Sequence, residues 1–123
     1  MSTILMSIKP EYVNKIFSGV KKYEYRKRIC KEQIDKIIVY SSSPIQKVVG
    51  EIIIKQVLYD DKNMIWNKTN KYGGITKDKF DKYYEDCDKA VAYEISKVIL
   101  YDNPKSLIDY NIKTAPQSYV YIK

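Results

Sequence analysis

Two long stretches with the residue pattern of β-strands dominate this chain, at residues 47–59 and 90–101. Both are rich in β-branched and aromatic residues, which fit a pleated and half-buried surface. Shorter stretches of the same kind complete the set, at residues 2–8, 22–28, 33–40 and 118–122. Only short helices fit between them, so a doubly wound parallel sheet with long covering helices is excluded. The sequence therefore predicts an α+β, β-dominated fold.

Three short segments carry helix signals. Pro10 and Gly19 bound the first, since proline suits a helix start and glycine suits the left-handed stop. Asp60 is a candidate N-cap for the second helix, and Thr76 for the third. Gly50 lies inside a strand-like stretch and predicts a bulge or bend. We therefore expect a PUA-like small β-barrel or strongly curved sheet of five to six strands, with short helices at the barrel openings.

The 123 residues suffice for one compact core, so we expect a single domain over residues 1–123 and a monomer. No apolar run approaches the roughly 20 residues that a membrane span requires. The two cysteines, Cys30 and Cys87, lie too far apart in sequence to form a CxxC metal motif. Two thiols without a recognisable secretory leader predict a reducing, cytoplasmic location.

The charge balance favours anionic partners. Lysine and arginine number 22 against 15 aspartates and glutamates, which gives a formal net charge of +7. Such a basic domain attracts RNA or nucleotides. Only Arg26 and Arg28 are arginines, and their planar forks allow bidentate binding that lysine cannot provide. The chain has no histidine, which excludes Ser-His-Asp and Cys-His nucleophile systems. We expect neither a metal nor a cofactor.

Residues 19–26 contain the side chains that are candidates for ligand binding or catalysis. In a strand, Glu24 and Arg26 project from the same face, and Arg28 would join them. Lys21 can join this face if Gly19 turns the chain. Arg26 could then bind a phosphate or a base edge, and Glu24 could accept from an exocyclic amine. Lys21 would supply charge or, if desolvated, a general base. The alternative is a solvated surface ion pair between Glu24 and Arg26.

The spacing G-x-K-x-x-E-x-R is complete here as Gly19, Lys21, Glu24 and Arg26, and it resembles the signature of the ASCH domain family of the PUA-like superfamily. The flanking segments resemble that family too, at residues 7–12, 40–44, 48–51 and 115–119. The resemblance covers nearly the whole chain. It implies a β-barrel with a basic cleft at one end, lined by the signature, and binding of RNA or modified bases around translation or transcription.

The resemblance also implies two enzymatic alternatives. Some relatives of similar size deacetylate acetylcytidine, and some ASCH proteins have been described as ribonucleases. The deacetylating relatives carry a threonine where this chain has Glu24, so we do not expect acetylcytidine deacetylation. If the chain is an enzyme acting on RNA or a modified nucleoside, Lys21 would be the base and Glu24 its partner or the general acid.

Further candidates for the cleft come from its expected rim. Lys9 ends the first strand, and Ser42 and Ser43 form a turn whose hydroxyl groups could donate to phosphate. Gln117 and Ser118 precede the last strand, and their assignment rests mainly on the resemblance. The alternatives are a solvated lysine and ordinary polar turns. Tyrosines 83 and 84 and Trp66 are interpreted as core packing, not as base platforms.

Three function hypotheses follow from these observations. The first is an RNA- or nucleotide-binding module, and the second is a small hydrolase acting on RNA or a modified nucleoside. The third is a protein-interaction domain whose cleft has no ligand. A nucleophile or a metal site would separate the first two hypotheses, and the sequence displays neither.

Overall fold

The computed structural model describes residues 1–123 and is dominated by strands. The strands are β1 (Ser2–Ile8), β2 (Tyr23–Arg26), β3 (Ile34–Ser41), β4 (Lys47–Asp61), β5 (Lys89–Lys105) and β6 (Tyr119–Ile122). The α-helices are α1 (Pro10–Phe17), α2 (Lys62–Thr69) and α3 (Lys77–Tyr83), and short 3-10 helices occupy Asn70–Tyr72 and Leu107–Tyr110. The predicted α+β, β-dominated class is confirmed.

All six strands form one sheet in the order β2-β5-β4-β3-β1-β6. The β1–β3 pair is parallel and the other neighbouring pairs are antiparallel. The two edge strands, β2 and β6, are four residues long and do not pair with each other. The sheet is therefore not closed into a barrel, which corrects the expectation of closure.

Bulges bend the long central strands. The β4–β5 register shifts at three places, one of them between Val48 and Gly50. A Cβ atom at Gly50 would collide with the carbonyl oxygen of Ile99 on β5, so this close approach of two backbones requires glycine. Such bulges increase the local twist and let the sheet curve around its core.

Three apolar clusters hold the elements in place, and two of them position the α-helices. The larger one joins α1 to the sheet and contains 13 buried residues, among them Ile4, Ile16 and Ile37. The second joins α2 and α3 to the end of the sheet where β2 lies, and Phe80 is its centre. The Phe80 ring lies 5.2 Å from the ring of Tyr25 and 4.7 Å from that of Tyr84. Trp66 packs against this cluster, as predicted. The second cluster fixes α3 beside β2.

Several boundaries differ from the predicted ones. Strand β2 ends at Arg26 instead of residue 28, and β5 continues to Lys105 without a turn at Asn103. The N-cap of α2 is Asp61, whose carboxylate accepts from the backbone N–H of Asn63 at 2.8 Å. No helix combines the length and the apolar character needed to cross a membrane.

Candidate functional site

The turn between α1 and β2 brings Lys21 to the end of the sheet. Helix α1 ends at Phe17, and Gly19 then adopts a φ of +88°, the left-handed conformation predicted for it. The backbone N–H of Lys21 donates to the carbonyl of Lys15 at 3.0 Å, which folds the chain back against the helix. As a result the Lys21 side chain is only 2% exposed.

Glu24 and Arg26 form a buried, hydrogen-bonded ion pair instead of a solvated one. The guanidinium donates to Glu24 Oε2 through Nε at 3.2 Å and through Nη2 at 2.9 Å. Nη2 also donates to the carbonyl oxygen of Ser7 at 2.8 Å, which links β2 to β1. Glu24 is 5% exposed. A pair with this burial and geometry is positioned much more rigidly than a surface pair.

Lys21 completes the group from the other side of Glu24. Its Nζ lies 3.9 Å from Glu24 Oε1 and donates to the carbonyl oxygen of Gly73 at 2.6 Å. The ammonium also lies 5.2 Å from the ring centroid of Tyr12 and 4.7 Å from that of Tyr25. Burial lowers the pKa of Lys21 to about 8, although the Glu24 carboxylate acts in the opposite direction.

The depressed pKa predicts how stability changes with pH. In the unfolded chain the pKa of Lys21 returns to roughly 10.4. Above about pH 8 the unfolded state therefore binds more protons than the folded state, and Lys21 makes the fold more stable as pH rises. Lys21→Met removes this gain. We expect the free energy of unfolding of the wild type, relative to Lys21→Met, to increase by about 2 kcal/mol between about pH 7 and about pH 9.5.

Urea unfolding of both proteins at the two pH values measures this difference. Burial raises the pKa of Tyr25 to about 12 and that of Tyr84 further, so ionisation of the unfolded tyrosines destabilises both proteins above roughly pH 10. That effect is common to the two proteins and cancels in the comparison. A difference independent of pH would mean that Lys21 keeps an ordinary pKa in the fold.

These groups form the floor of a cavity of about 530 Å³. Its walls come from β1, α1, the turn after β3, α3 and the segment before β6. The lining residues are Ser7, Ile8, Lys9, Tyr12, Lys21, Glu24, Tyr25, Arg26, Tyr40, Ser42, Ser43, Gln46, Ile75, Lys79, Tyr83, Ala115, Pro116 and Gln117. A cavity of this volume is within the range of small-molecule sites and can hold one nucleotide.

Two atoms on the floor remain available to a ligand. Arg26 Nη1 makes no hydrogen bond within the protein, and Glu24 Oε1 has only the distant Lys21 ammonium beside it. No buried side-chain nitrogen or oxygen lacks a hydrogen-bond partner, so both of these unbonded atoms are accessible. Because Nε and Nη2 share Glu24 Oε2, Nη1 points away from the carboxylate, and the floor presents a charged donor and a charged acceptor at separate points.

The structure brings together seven of the residues singled out from the sequence: Lys9, Lys21, Glu24, Arg26, Ser42, Ser43 and Gln117. Arg28 does not line the cavity and is exposed, because β2 ends at Arg26 and the alternation of side chains stops there. Ser118 does not line it either, and its carbonyl oxygen accepts from the backbone N–H of Ser7 at 3.0 Å.

Sequence reasoning missed the aromatic and helical walls. Tyr12 and Lys79 line the cavity, and so does Tyr83, which was assigned to packing. Lys79 and Tyr83 are four residues apart and share one face of α3, a spacing visible in the sequence. Nothing in the sequence indicated that this face points toward β2. No three His, Cys, Asp or Glu side chains cluster as potential metal ligands.

Comparison with known proteins agrees with this fold and motif. The ASCH domain matches residues 6–99. The large ribosomal subunit protein uL22 of Ureaplasma parvum serovar 3 is 34% identical over 122 residues, which make up 98% of this chain and 39% of that protein. The chain thus spans about two fifths of the length of that curated relative.

Two further similarities come from Zymomonas mobilis. A protein named ASCH domain-containing ribonuclease is 27% identical over 90 residues, 72% of this chain and 61% of that protein. A crystal structure of ASCH from the same organism superposes with a TM-score of 0.89 at 23% identity, over 99% of this chain and 88% of that one. The matched domain, the intact G-x-K-x-x-E-x-R motif on the cavity floor and the shared architecture lead to one conclusion: this chain belongs to the ASCH domain family.

Proposed function

We propose that this protein binds single-stranded RNA and takes one nucleotide into the cavity above Lys21, Glu24 and Arg26. The observation that carries the proposal is the free donor of Arg26 Nη1 in a cavity whose floor also carries the Glu24 carboxylate. A nucleobase carries hydrogen-bond acceptors, which Arg26 Nη1 can engage, and exocyclic amine donors, from which a carboxylate can accept. A phosphate alone would need donors only, and the buried carboxylate would repel it.

The rim of the cavity suits the phosphate of the same nucleotide. Lys9 and Lys79 line it, and the side chains of Ser42 and Ser43 make no hydrogen bond within the protein. Lys79 Nζ is 3.8 Å from a carboxylate oxygen of Glu11, and both side chains are more than half exposed. Exposed pairs of this kind contribute little to stability, so Lys79 can exchange its partner for a phosphate.

The buried position of the floor residues favours a single strand over a duplex. The floor lies at the bottom of a cavity that admits one unstacked base, whereas a base inside a double helix cannot reach it. A relative with the printed name ASCH domain-containing ribonuclease also supports RNA as the class of ligand.

A salt titration tests the proposal. Four basic side chains line the cavity: Lys9, Lys21, Arg26 and Lys79. If Lys9 and Lys79 contact phosphate while Arg26 contacts the base, these two phosphate contacts should make the affinity for a labelled single-stranded RNA fall with salt at a log–log slope of about −1.4. Fluorescence anisotropy at several salt concentrations measures this slope. Equal affinity for a duplex of the same sequence would contradict recognition of an unstacked base.

Cleavage of RNA is the second candidate function. With a pKa of about 8, a substantial fraction of Lys21 is neutral in mildly alkaline solution and able to accept a proton. In RNA, the 2′-oxygen that loses its proton to Lys21 would attack the adjacent phosphorus and form a 2′,3′-cyclic phosphate, while the P–O5′ bond breaks and the leaving 5′-oxygen takes a proton from water. Gel analysis of the same binding samples separates the two functions. Intact RNA supports binding alone, whereas fragments that require both the 2′-OH and Lys21 support a ribonuclease.

A further inference from the structure

We propose that Tyr83 and Lys27 form a second nucleotide subsite, on which the base next to the one in the cavity stacks. This inference rests on the proposed RNA binding and deepens it, because it assigns an RNA ligand of at least two nucleotides. Tyr83 lines the cavity and remains 37% exposed. Its ring therefore belongs both to the cavity wall and to the surface outside it.

The Tyr83 ring is held in place by packing against the buried tyrosine next to it. The adjacent Tyr84 is fully buried, and its ring meets that of Tyr83 at 73° with centroids 4.8 Å apart. The Tyr84 hydroxyl donates to the carbonyl oxygen of Arg26 at 2.8 Å. This contact connects the tyrosine pair to the strand residue that supplies the free donor on the cavity floor. A base stacked on Tyr83 would thus be the neighbour, along the RNA chain, of the base bound by Arg26.

Lys27 supplies the charge that a neighbouring phosphate needs. Its Nζ lies 4.9 Å from the centroid of the Tyr83 ring, and its side chain is exposed. When a base stacks on that face, the flexible lysine can move aside and pair with the phosphate that joins the two nucleotides. Burial raises the pKa of Tyr83, so the phenol stays neutral and does not repel that phosphate.

Other exposed tyrosine–lysine pairs lack the connection to the cavity. Tyr72 is 44% exposed with Lys22 Nζ 4.8 Å from its ring, yet it does not line the cavity. Tyr59 is 49% exposed with Lys89 Nζ at 5.8 Å, and it also lies outside the lining. Tyr83 alone combines an exposed ring, a nearby lysine and a place in the cavity wall. Tyr59 provides a matched control.

Calorimetric titration with a nucleoside 5′-monophosphate and with a trinucleotide tests the subsite. In the wild type, the trinucleotide should bind more tightly than the monophosphate, by roughly five- to hundredfold from one stacked base. Tyr83→Ala should abolish this gain, so that the variant binds the trinucleotide no more tightly than it binds the monophosphate. Tyr83→Phe should keep the gain because the ring face remains, and Tyr59→Ala should behave as the wild type. Lys27→Ala should reduce the salt slope for the trinucleotide by about 0.7.

The outcomes separate this inference from the proposed function. If the monophosphate and the trinucleotide bind the wild type equally, or if Tyr83→Ala weakens both to the same extent, the stacking subsite is overturned while RNA binding stands. A loss in Tyr59→Ala equal to that in Tyr83→Ala would also overturn it. If the wild type binds neither ligand, the proposed function fails, and the subsite fails with it.

Discussion

Replacing Glu24 with alanine should lower the free energy of unfolding by about 3–5 kcal/mol, because it leaves the buried Lys21 ammonium and the half-buried Arg26 guanidinium without their shared anion. Lys21 is 2% exposed, and the Arg26 side chain is 15% exposed. Both face the Glu24 carboxylate, at 3.9 Å and 2.9 Å respectively. Removing that carboxylate places two positive charges in a region that water reaches poorly. Urea unfolding at neutral pH measures the loss.

Glu94 offers the matched control on the neighbouring strand β5. Its carboxylate pairs with Lys55 Nζ at 3.9 Å, but the lysine side chain is 65% exposed. Loss of such an exposed pair costs about 1 kcal/mol or less, so Glu94→Ala should have a small effect. Glu24→Gln keeps the shape and an oxygen acceptor and should lose less stability than Glu24→Ala. Equal losses in Glu24→Ala and Glu94→Ala would show that the buried cluster is not held by its anion.

The second large effect concerns binding. Arg26→Ala should weaken the affinity for single-stranded RNA by about ten- to hundredfold, which corresponds to loss of one charge-assisted hydrogen bond and its positioning. Arg26→Lys keeps the charge but loses the planar fork that holds Glu24 and presents Nη1, so we expect it to recover only part of the affinity. Anisotropy titrations at one fixed salt concentration give the comparison.

Lys113 is the control for diffuse charge. It is exposed and lies outside both the signature and the cavity lining. Lys113→Ala removes the same formal charge as Arg26→Ala and should change the affinity by less than about twofold. Equal losses for the two variants would mean that RNA binds to the overall positive charge of the protein and not to the cavity. Urea unfolding of each variant checks that the variant is folded under the conditions of the affinity measurement.

The stability prediction and the binding prediction both concern the charged group formed by Lys21, Glu24 and Arg26. Glu24 stabilises the two cations, and in return the Arg26 guanidinium holds the carboxylate through Oε2. The hydrogen bonds of Arg26 to Glu24 and to Ser7 use Nε and Nη2, which leaves Nη1 free. A ligand therefore meets polar groups that are already positioned, so it does not have to order them on binding.

Local sequence rules accounted for much of this protein. The alternation of apolar residues gave the β-dominated class and the positions of most strands, since side-chain direction in a strand depends only on neighbouring residues. The same alternation placed Glu24 and Arg26 on one face. Gly19 was identifiable because few other residues adopt a positive φ without strain. The eight-residue signature together with its flanking segments indicated the ASCH family.

Tertiary structure decided everything that depends on residues far apart in the chain. The sheet stays open because its short edge strands, β2 and β6, do not meet. Lys21 is buried because the carbonyl of Gly73, 52 residues away, comes to its ammonium group. Arg28 is excluded because β2 ends two residues earlier. Tyr83 reaches the cavity wall because packing around Phe80 turns α3 toward β2. These features follow from long-range packing, which no local pattern of residues specifies.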